Sequence, residues 1–326
     1  MPEMTMVEAI RTALARALGE DDRVILLGED IGIDGGVFRA TDGLVQRFGA
    51  ARVRDTPLAE AAIAGIAVGA AAQGLRPVAE IQFAGFVYPA IDQMVNQASR
   101  MRTRTRGRLT CPMVLRLPYG GGVHAPEHHS ESPEAMFAHV PGLRVVLPSS
   151  PARAYGLTLA AIRDPDPVVV LEPKRLYRAG TEPVEDDGTA LPLDRAAVLR
   201  AGTDLTLVAW GAMLREALGA AEALAGRGVS AEVIDLVSLK PCDAETVLDS
   251  VRRTGRCLVL HEAPRTAGFG AEIAARIAEE ALTSLLAPVR RVTGYDTVMP
   301  LSRMEHAYMP GIPCILSAAG ELMTWR

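Results

Sequence analysis

The stretch DTPLAEAAIAGIAVGAAAQGLRPVAEI, residues Asp55–Ile81, joins a long run of small apolar residues to a short β-forming run. Thr56 is a favourable helix N-cap and Pro57 suits the first helical turn, so a helix is predicted to begin here and run to Gly74. Val78–Ile81 is predicted to be a strand. A helix followed by a strand is the repeating unit of folds in which helices cover a mostly parallel sheet.

The same alternation continues on both sides of this stretch. A segment rich in Pro, Asp and Gly at Thr181–Asp194 is predicted to be a linker, after which the pattern restarts. We therefore predict two α/β domains, residues 1–185 and a smaller unit at 186–326, with helices in the second near Met213–Gly226, Asp243–Thr254 and Ala271–Leu286. Further strands are predicted at Val24–Gly28, Met113–Leu117, Arg144–Leu147 and Val168–Leu171, and in the segments DLTLVAWG, SAEVIDLVSL, RCLVLHEA and PVRRVTG.

Composition excludes several classes of protein. The chain has 326 residues, of which 49% are hydrophobic and 4% aromatic, and its net charge is −5. No apolar run reaches the roughly 20 residues needed to span a bilayer, so no membrane segment is expected. The net negative charge gives no electrostatic reason to expect nucleic acid as a partner. The acidic, amphipathic N-terminus is unlike a signal or transit peptide, which predicts a cytoplasmic protein.

Glu60 is the single charged residue between Asp55 and Gly74. With Thr56 as N-cap the capping-box position falls on Ala59, so Glu60 is not explained as a reciprocal cap. Two interpretations stay open: a carboxylate stabilised by the helix dipole, or a group that takes part in chemistry. Gly65 and Gly69 lie four residues apart and weaken the helix, which suggests that another backbone approaches, such as that of a second subunit.

Three histidines lie close together in HAPEHHSESPEAMF, residues 124–137. Ser132 and Pro133 predict the start of a helix, which places His128 and His129 on the loop before it. A metal site, an acid/base site and a solvated polar loop are all compatible with this composition. The spacing of His124, His128 and His129 matches no common zinc pattern.

Several motifs together resemble the beta subunit of the thiamine-diphosphate-dependent 2-oxo acid dehydrogenases. They extend over nearly the whole chain: DTPLAEAAIAGIAVGAA, GLRPVAEIQFAGFVYPAIDQ, HSESPEAMFAHVPGLRVVLPSSP, DPVVVLEPKRLYR, RRTGRCLVLHEAPR and RVTGYDT. The resemblance implies two three-layer α/β domains, a transketolase-type pyrimidine-binding domain followed by a transketolase C-terminal domain. It also implies an enzyme that decarboxylates a 2-oxo acid and transfers the acyl group to a lipoyl domain.

The resemblance assigns roles to individual residues. Glu60 corresponds to the glutamate that hydrogen-bonds a ring nitrogen of the cofactor's aminopyrimidine and promotes removal of the thiazolium proton. Leu58 and Gln82 are expected to line the pyrimidine pocket, and Phe86 is expected to stack on the ring. His129 corresponds to the active-site histidine that precedes Ser, and an imidazole suits the proton transfers of lipoyl reduction.

The chain lacks the GDG motif through which this family binds the diphosphate and Mg²⁺. The resemblance therefore implies an alpha subunit that holds Mg²⁺, a heterotetramer of two alpha and two beta chains, and a lipoyl-bearing acyltransferase core as a further partner. The turn at Asp164–Pro167 resembles the family's loop for a structural monovalent cation, with Asp164 as a candidate ligand and K⁺ as the candidate ion.

The motifs EPKRLYR, HEAPRTAGFGAEI and RVTGYDT favour a branched-chain 2-oxo acid as substrate, while pyruvate and acetoin stay open. Two other classes also stay open. One is a non-catalytic subunit that only completes an assembly. The other is a metallohydrolase that uses the loop from His124 to His129.

Overall fold

The computed structural model describes residues 1–325 and contains two α/β units. The strands are β1 Glu3–Met4, β2 Val24–Gly28, β3 Val53–Asp55, β4 Arg76–Glu80, β5 Val114–Tyr119, β6 Arg144–Val146, β7 Val168–Pro173, β8 Glu182–Pro183, β9 Ala197–Arg200, β10 Leu205–Ala209, β11 Ala231–Asp235, β12 Ser238–Lys240, β13 Cys257–Pro264 and β14 Arg290–Gly294. The helices are α1 Met6–Glu20, α2 Leu44–Phe48, α3 Glu60–Ala72, α4 Tyr88–Asn96, α5 Met101–Arg104, α6 Glu134–Ala138, α7 Pro151–Arg163, α8 Met213–Ala225, α9 Ala244–Thr254, α10 Gly270–Glu280, α11 Glu305–Tyr308 and α12 Ile312–Met323.

The first sheet has the strand order β12-β6-β7-β5-β4-β2-β3. All neighbours pair in parallel except β12, which pairs antiparallel with β6 at one edge. The strands predicted in residues 24–171 are all present. Because the parallel strands point the same way, their carboxyl ends meet at one edge of the sheet, where ligands bind in open α/β folds.

The predicted strand SAEVIDLVSL is wrong as a single element. Its first part forms β11 in the second sheet and its last part forms β12 in the first sheet. The chain turns between them at Val237, whose φ is 58° and whose amide donates to the Asp235 carboxylate at 3.0 Å. A hydrophobic run with β-branched residues indicates a strand but does not reveal which sheet it joins.

The second sheet has the order β14-β13-β10-β11-β9, with β9 antiparallel at its edge. Helices α8 and α12 cover one face of this sheet, where they pack on Leu207 and Leu260. Helices α9 and α10 cover the opposite face. The result is a three-layer unit of the predicted kind.

Alternate residues of the first sheet enter two separate cores. Leu26 and Val170 pack with helices α1 and α7 on one face. Leu27 and Leu171 pack with α3 and α4 on the other face, in a core that continues into the second unit through Val208. This alternation follows from the period of two along a strand.

Three predicted boundaries are corrected. Helix α3 begins at Glu60 with Ala59 as N-cap, not at Thr56, because the Thr56 amide donates to Gly28 O at 3.0 Å and keeps the chain with the sheet. Helix α10 ends at Glu280, and residues 282–284 form a separate 3₁₀ turn. The predicted linker contains β8, which pairs antiparallel with the N-terminal strand β1.

Within residues 1–325, every helix is too short or too polar to cross a bilayer.

Candidate functional site

The predicted site residues gather at the carboxyl edge of the first sheet. Glu29 directly follows β2, and Gln82 lies two residues after β4. Glu60 lies five residues after β3, at the first position of α3. Strand β5 leads into the loop that carries His129. Convergence of polar groups from several strand ends is typical of a binding site in this fold class.

Glu29 is the most unusual carboxylate at this edge, and the sequence analysis did not identify it. Its residue is 4% exposed, yet neither carboxylate oxygen has a hydrogen-bond partner in the described part of the chain. Burial, followed by the nearby charges of Glu60, Asp30 and Glu80, raises the pKa of Glu29 to about 7. A carboxyl group with this pKa holds and releases a proton near neutral pH. Its position directly after a buried strand was the available signal.

Glu60 and Leu58 lie at the open side of this edge. Glu60 is partly exposed and close enough to Glu29 to affect its pKa, while Leu58 is 81% exposed. The Gln82 side chain donates from Nε2 to Asp30 Oδ2 at 3.0 Å. The described chain therefore presents these side chains to an open surface, where a ligand or a second protein can contact them.

His129 packs against two aromatic rings. Its ring centroid lies 4.4 Å from that of Phe83 and 5.1 Å from that of Phe86, both edge-on. Its Nδ1 atom is buried and has no hydrogen-bond partner among residues 1–325. The structure thus brings Phe86 and His129 into contact, and adds Phe83, which sequence reasoning missed. The residue as a whole is partly exposed, and an imidazole can donate or accept a proton where its ring is accessible.

A second set of buried charges lies within the same sheet. Arg116 on β5 is paired with Glu80 on β4, and it also donates to Glu172 on β7 from Nε at 2.8 Å and from Nη2 at 2.6 Å. The Tyr177 hydroxyl donates to Glu172 at 2.5 Å. Burial raises the pKa of Glu80, whereas the charge of Arg116 opposes that rise. Burial alone lowers the pKa of Arg116, but Glu172 and Glu80 outweigh it and raise the value.

No group of three or more His, Cys, Asp or Glu side chains suited to a metal ion is found among residues 1–325. The three loop histidines do not converge, because His124 pairs with Glu305 at 3.0 Å while His129 lies between phenylalanines. This geometry gives no support to the metallohydrolase hypothesis.

The Asp164 turn is held by two arginines. The Asp164 carboxylate pairs with Arg144 at 3.0 Å. The carbonyl oxygens of Ile162 and Asp164 accept hydrogen bonds from Arg76 Nη1 at 2.8 and 3.1 Å. The Arg76 guanidinium thus binds carbonyl oxygens at this turn, and the predicted cation site depends on such carbonyl oxygens.

Helix α3 has an exposed apolar face formed by Ala62, Ile66 and Gly69. No atom lies within 4 Å of a Cβ placed on Gly69, and the nearest atom to a Cβ on Gly65 is the Gln93 side chain at 3.5 Å. The close backbone approach predicted from these glycines is therefore not supplied by the described residues. An apolar helix face of this kind is typical of a protein interface.

Two family models match successive parts of the chain. Residues 2–180 match the transketolase pyrimidine-binding domain, and residues 194–315 match the transketolase C-terminal domain. A solved structure described as a split-gene transketolase in an inactive beta4 tetramer superimposes with a TM-score of 0.81 at 25% sequence identity, covering 99% of both chains.

Curated relatives carry two different names. The pyruvate dehydrogenase E1 component subunit beta of Bacillus subtilis is 47% identical over 323 residues, covering 99% of both chains. The corresponding subunit of Acholeplasma laidlawii is 49% identical and covers 95% of both chains. The 3-methyl-2-oxobutanoate dehydrogenase subunit beta of Mycobacterium tuberculosis is 50% identical over 98% of this chain and 92% of the relative.

Proposed function

This chain belongs to the beta subunits of the 2-oxo acid dehydrogenase E1 component, and on that premise we propose that its acidic sheet edge completes a thiamine diphosphate site that decarboxylates a branched-chain 2-oxo acid. The observation that carries the proposal is the position of Glu60 near the buried Glu29, whose carboxylate oxygens have no hydrogen-bond partner among residues 1–325, at an open edge of the sheet. Family and reaction class follow from the relatives. The site residues and the choice of substrate are the proposal.

The chain's own residues suit the aminopyrimidine half of this cofactor. Glu60 offers a carboxylate for a ring nitrogen, and Glu29 holds a proton next to it near neutral pH. Leu58 and Phe86 offer apolar contacts, and Gln82 offers an amide for hydrogen bonding. Once bound, thiamine diphosphate supplies the electron sink for decarboxylation, while the protein orients it and manages protons.

His129 is proposed to act in acyl transfer to the lipoyl group. Opening the lipoyl dithiolane requires a proton donor, and the partly exposed His129 has an Nδ1 atom with no hydrogen-bond partner among residues 1–325. The contacts with Phe83 and Phe86 fix the ring's position. An imidazole so held serves as a general acid without first having to break another hydrogen bond.

We further propose the partners that the site needs. The described residues contain no cluster of acidic or histidine side chains for a metal ion, so Mg²⁺ and the diphosphate are assigned to an alpha subunit in a heterotetramer of two alpha and two beta chains. The exposed apolar face of α3 and the exposed Leu58 support such an interface. A lipoyl-bearing acyltransferase core is the proposed acceptor, and K⁺ at the Asp164 turn stays a prediction.

Pyruvate is the second candidate substrate. Relatives named as pyruvate dehydrogenase beta subunits match the chain about as well as the branched-chain relative, at 47–49% against 50% identity. The branched-chain assignment has the support of the motifs EPKRLYR, HEAPRTAGFGAEI and RVTGYDT.

The test is reduction of an artificial electron acceptor by the chain co-expressed with its alpha subunit, with and without thiamine diphosphate and Mg²⁺. Pyruvate and 3-methyl-2-oxobutanoate are compared in parallel. Turnover that requires the cofactor and prefers 3-methyl-2-oxobutanoate supports the proposal, and a preference for pyruvate selects the second candidate. Lack of turnover by a complex of correct stoichiometry with bound cofactor would favour a non-catalytic assembly subunit.

A further inference from the structure

The loop that carries His129 is closed at its base. The Gly120 amide donates to Glu131 O at 2.9 Å, so the two ends of residues 120–131 lie side by side. A compact loop with adjacent ends is a common carrier of functional side chains. What holds such a loop therefore determines where His129 lies.

Two glutamates of the second unit hold the first part of this loop. Glu305 accepts hydrogen bonds from Gly122 N at 2.6 Å and from His124 N at 2.8 Å, one on each carboxylate oxygen. Glu262 accepts from Gly121 N at 3.2 Å. Three amides of one loop thus donate to carboxylates from another unit, and hydrogen bonds to a charged acceptor are stronger than neutral ones.

The contact is close and buried. Glu305 is 2% exposed and Glu262 is 4% exposed. A Cβ at Gly120, where φ is +81°, would lie 2.5 Å from Glu262 Oε1, and one at Gly121 would lie 3.2 Å from Glu305 Oε1. Glycine is needed here because the backbone approaches the carboxylates too closely for a side chain.

The far end of the loop rests on the first sheet. A Cβ at Gly85 would lie 1.8 Å from the His128 carbonyl oxygen, so the His128 backbone occupies the space that a side chain at Gly85 would need. The adjacent His129 ring then meets Phe83 and Phe86. The loop is consequently held by the second unit at one end and by the sheet edge at the other.

The two carboxylates also face buried cations. Lys174 is 3% exposed, and its Nζ has no hydrogen-bond partner in the described chain. Burial lowers the pKa of Lys174 to about 8, and the charges of Glu262 and Glu305 act against that decrease. Burial raises the pKa of Glu262, whereas Arg175 and Lys174 act to lower it. The positive charges of Arg175 and Lys174 thus favour the ionised form of Glu262, against the effect of its burial.

We propose that Glu305 is a positioning residue for His129: its carboxylate, from the second unit, fixes the loop so that the imidazole reaches the lipoyl group. This inference rests on the proposed role of His129. It adds that the second unit, which supplies none of the proposed cofactor contacts, controls the acyl-transfer step.

The test compares two reactions of the assembled heterotetramer carrying Glu305→Gln. Reductive acylation of a free lipoyl domain should fall about 10- to 100-fold, because a misplaced catalytic group loses this much rate. Decarboxylation with an artificial acceptor, which bypasses the lipoyl group, should change by no more than about twofold. Glu321→Gln, at an exposed glutamate of the same unit, is the matched control and should leave both rates unchanged.

A double-variant cycle identifies the route of the effect. If Glu305 acts through His129, adding Glu305→Gln to His129→Ala should cause no further loss of lipoyl acylation. Hydrogen exchange of the peptide covering residues 119–131 should be faster in Glu305→Gln and unchanged in Glu321→Gln. Glu262→Gln, at a carboxylate that accepts from one loop amide instead of two, should give a smaller effect and serves as the second variant if Glu305→Gln does not fold.

Two failures are distinguishable. Full lipoyl acylation by His129→Ala would overturn the proposed role of His129, and the positioning role of Glu305 with it. Loss of acylation in His129→Ala together with normal acylation in Glu305→Gln would overturn the positioning role alone. The positioning role would also be overturned if Glu305→Gln lowered acylation by the same factor in the His129→Ala background as in the unmodified enzyme. Glu305 would then act independently of His129.

Discussion

Glu29 and Glu80 occupy similar places on neighbouring strands but have opposite surroundings. Both residues are 4% exposed, at the carboxyl ends of β2 and β4. Glu80 is paired with Arg116, which also binds Glu172, whereas neither oxygen of Glu29 has a partner in residues 1–325. Glu80 therefore belongs to a closed ionic network, and Glu29 to an open acidic edge.

The difference shows that burial alone does not make a carboxylate structural or reactive. A buried carboxylate with a guanidinium partner has its charged form favoured by that partner, and removing the partner is strongly destabilising. A buried carboxylate without a partner becomes a proton carrier near neutral pH. Perturbed groups of the second kind mark functional sites more often than groups of the first kind.

Breaking the closed network should have the largest effect. Arg116→Met leaves Glu80 and Glu172 buried without their cation, which should lower the free energy of unfolding by about 3–5 kcal/mol. Urea denaturation of the full chain measures the loss. Arg227→Met, at an exposed arginine, is the control and should change stability by less than about 0.5 kcal/mol. Similar unfolding midpoints for both variants would show that the network contributes little.

Replacing a carboxylate of the open acidic edge should instead affect catalysis. Glu60→Gln in the assembled complex should lower kcat at least about 100-fold, equivalent to about 2.7 kcal/mol, because a proton-transfer partner is lost. Stability should fall by no more than about 1 kcal/mol, the value of a carboxylate at a helix N-terminus. Glu279→Gln, at an exposed glutamate on α10, is the matched control. A normal kcat would leave Glu60 with only the helix-dipole role.

The pKa of Glu29 predicts a pH dependence of stability. Its value in the folded chain, about 7, is above the ordinary 4.5, so its stabilising contribution is complete below pH 4.5 and is lost as pH rises through 7. Glu29→Gln should remove this decrease, which has a limiting slope of about 1.4 kcal/mol per pH unit. Urea denaturation of both proteins at pH 5, 6, 7 and 8 gives the difference. Parallel curves would contradict the raised pKa.

The smallest effect on the chain itself should come from Leu58. Leu58→Ser changes a side chain that is 81% exposed, so the free energy of unfolding should change by less than about 0.5 kcal/mol. Leu26→Ala, at a core position, should cost about 2–5 kcal/mol in the same assay. Thiamine diphosphate affinity of the assembled complex should nevertheless fall for Leu58→Ser, measured by titration. Unchanged affinity would remove Leu58 from the proposed pyrimidine pocket.

Local patterns predicted most strands and the two α/β units, because a buried parallel strand requires a continuous run of apolar residues wherever it occurs. They also placed Glu60 in the first turns of a helix and His129 on the loop before another helix. They did not predict the start of α3, since Thr56 is a good N-cap by type but its amide pairs with Gly28. Nor did they separate β11 from β12, because sheet membership depends on partners far along the chain.

The sequence by itself determined the fold class, the family and the residue types available for chemistry, because periodicity and motifs are local properties of the chain. Only the tertiary structure decided which buried groups have partners. Glu29, Glu80 and Glu305 are all glutamates in the sequence. Yet Glu29 has no hydrogen-bond partner within residues 1–325, Glu80 is paired with Arg116, and Glu305 accepts hydrogen bonds from two loop amides. The pKa and the role of a buried carboxylate depend on these neighbours, and neighbours from different strands and units meet only in the folded chain.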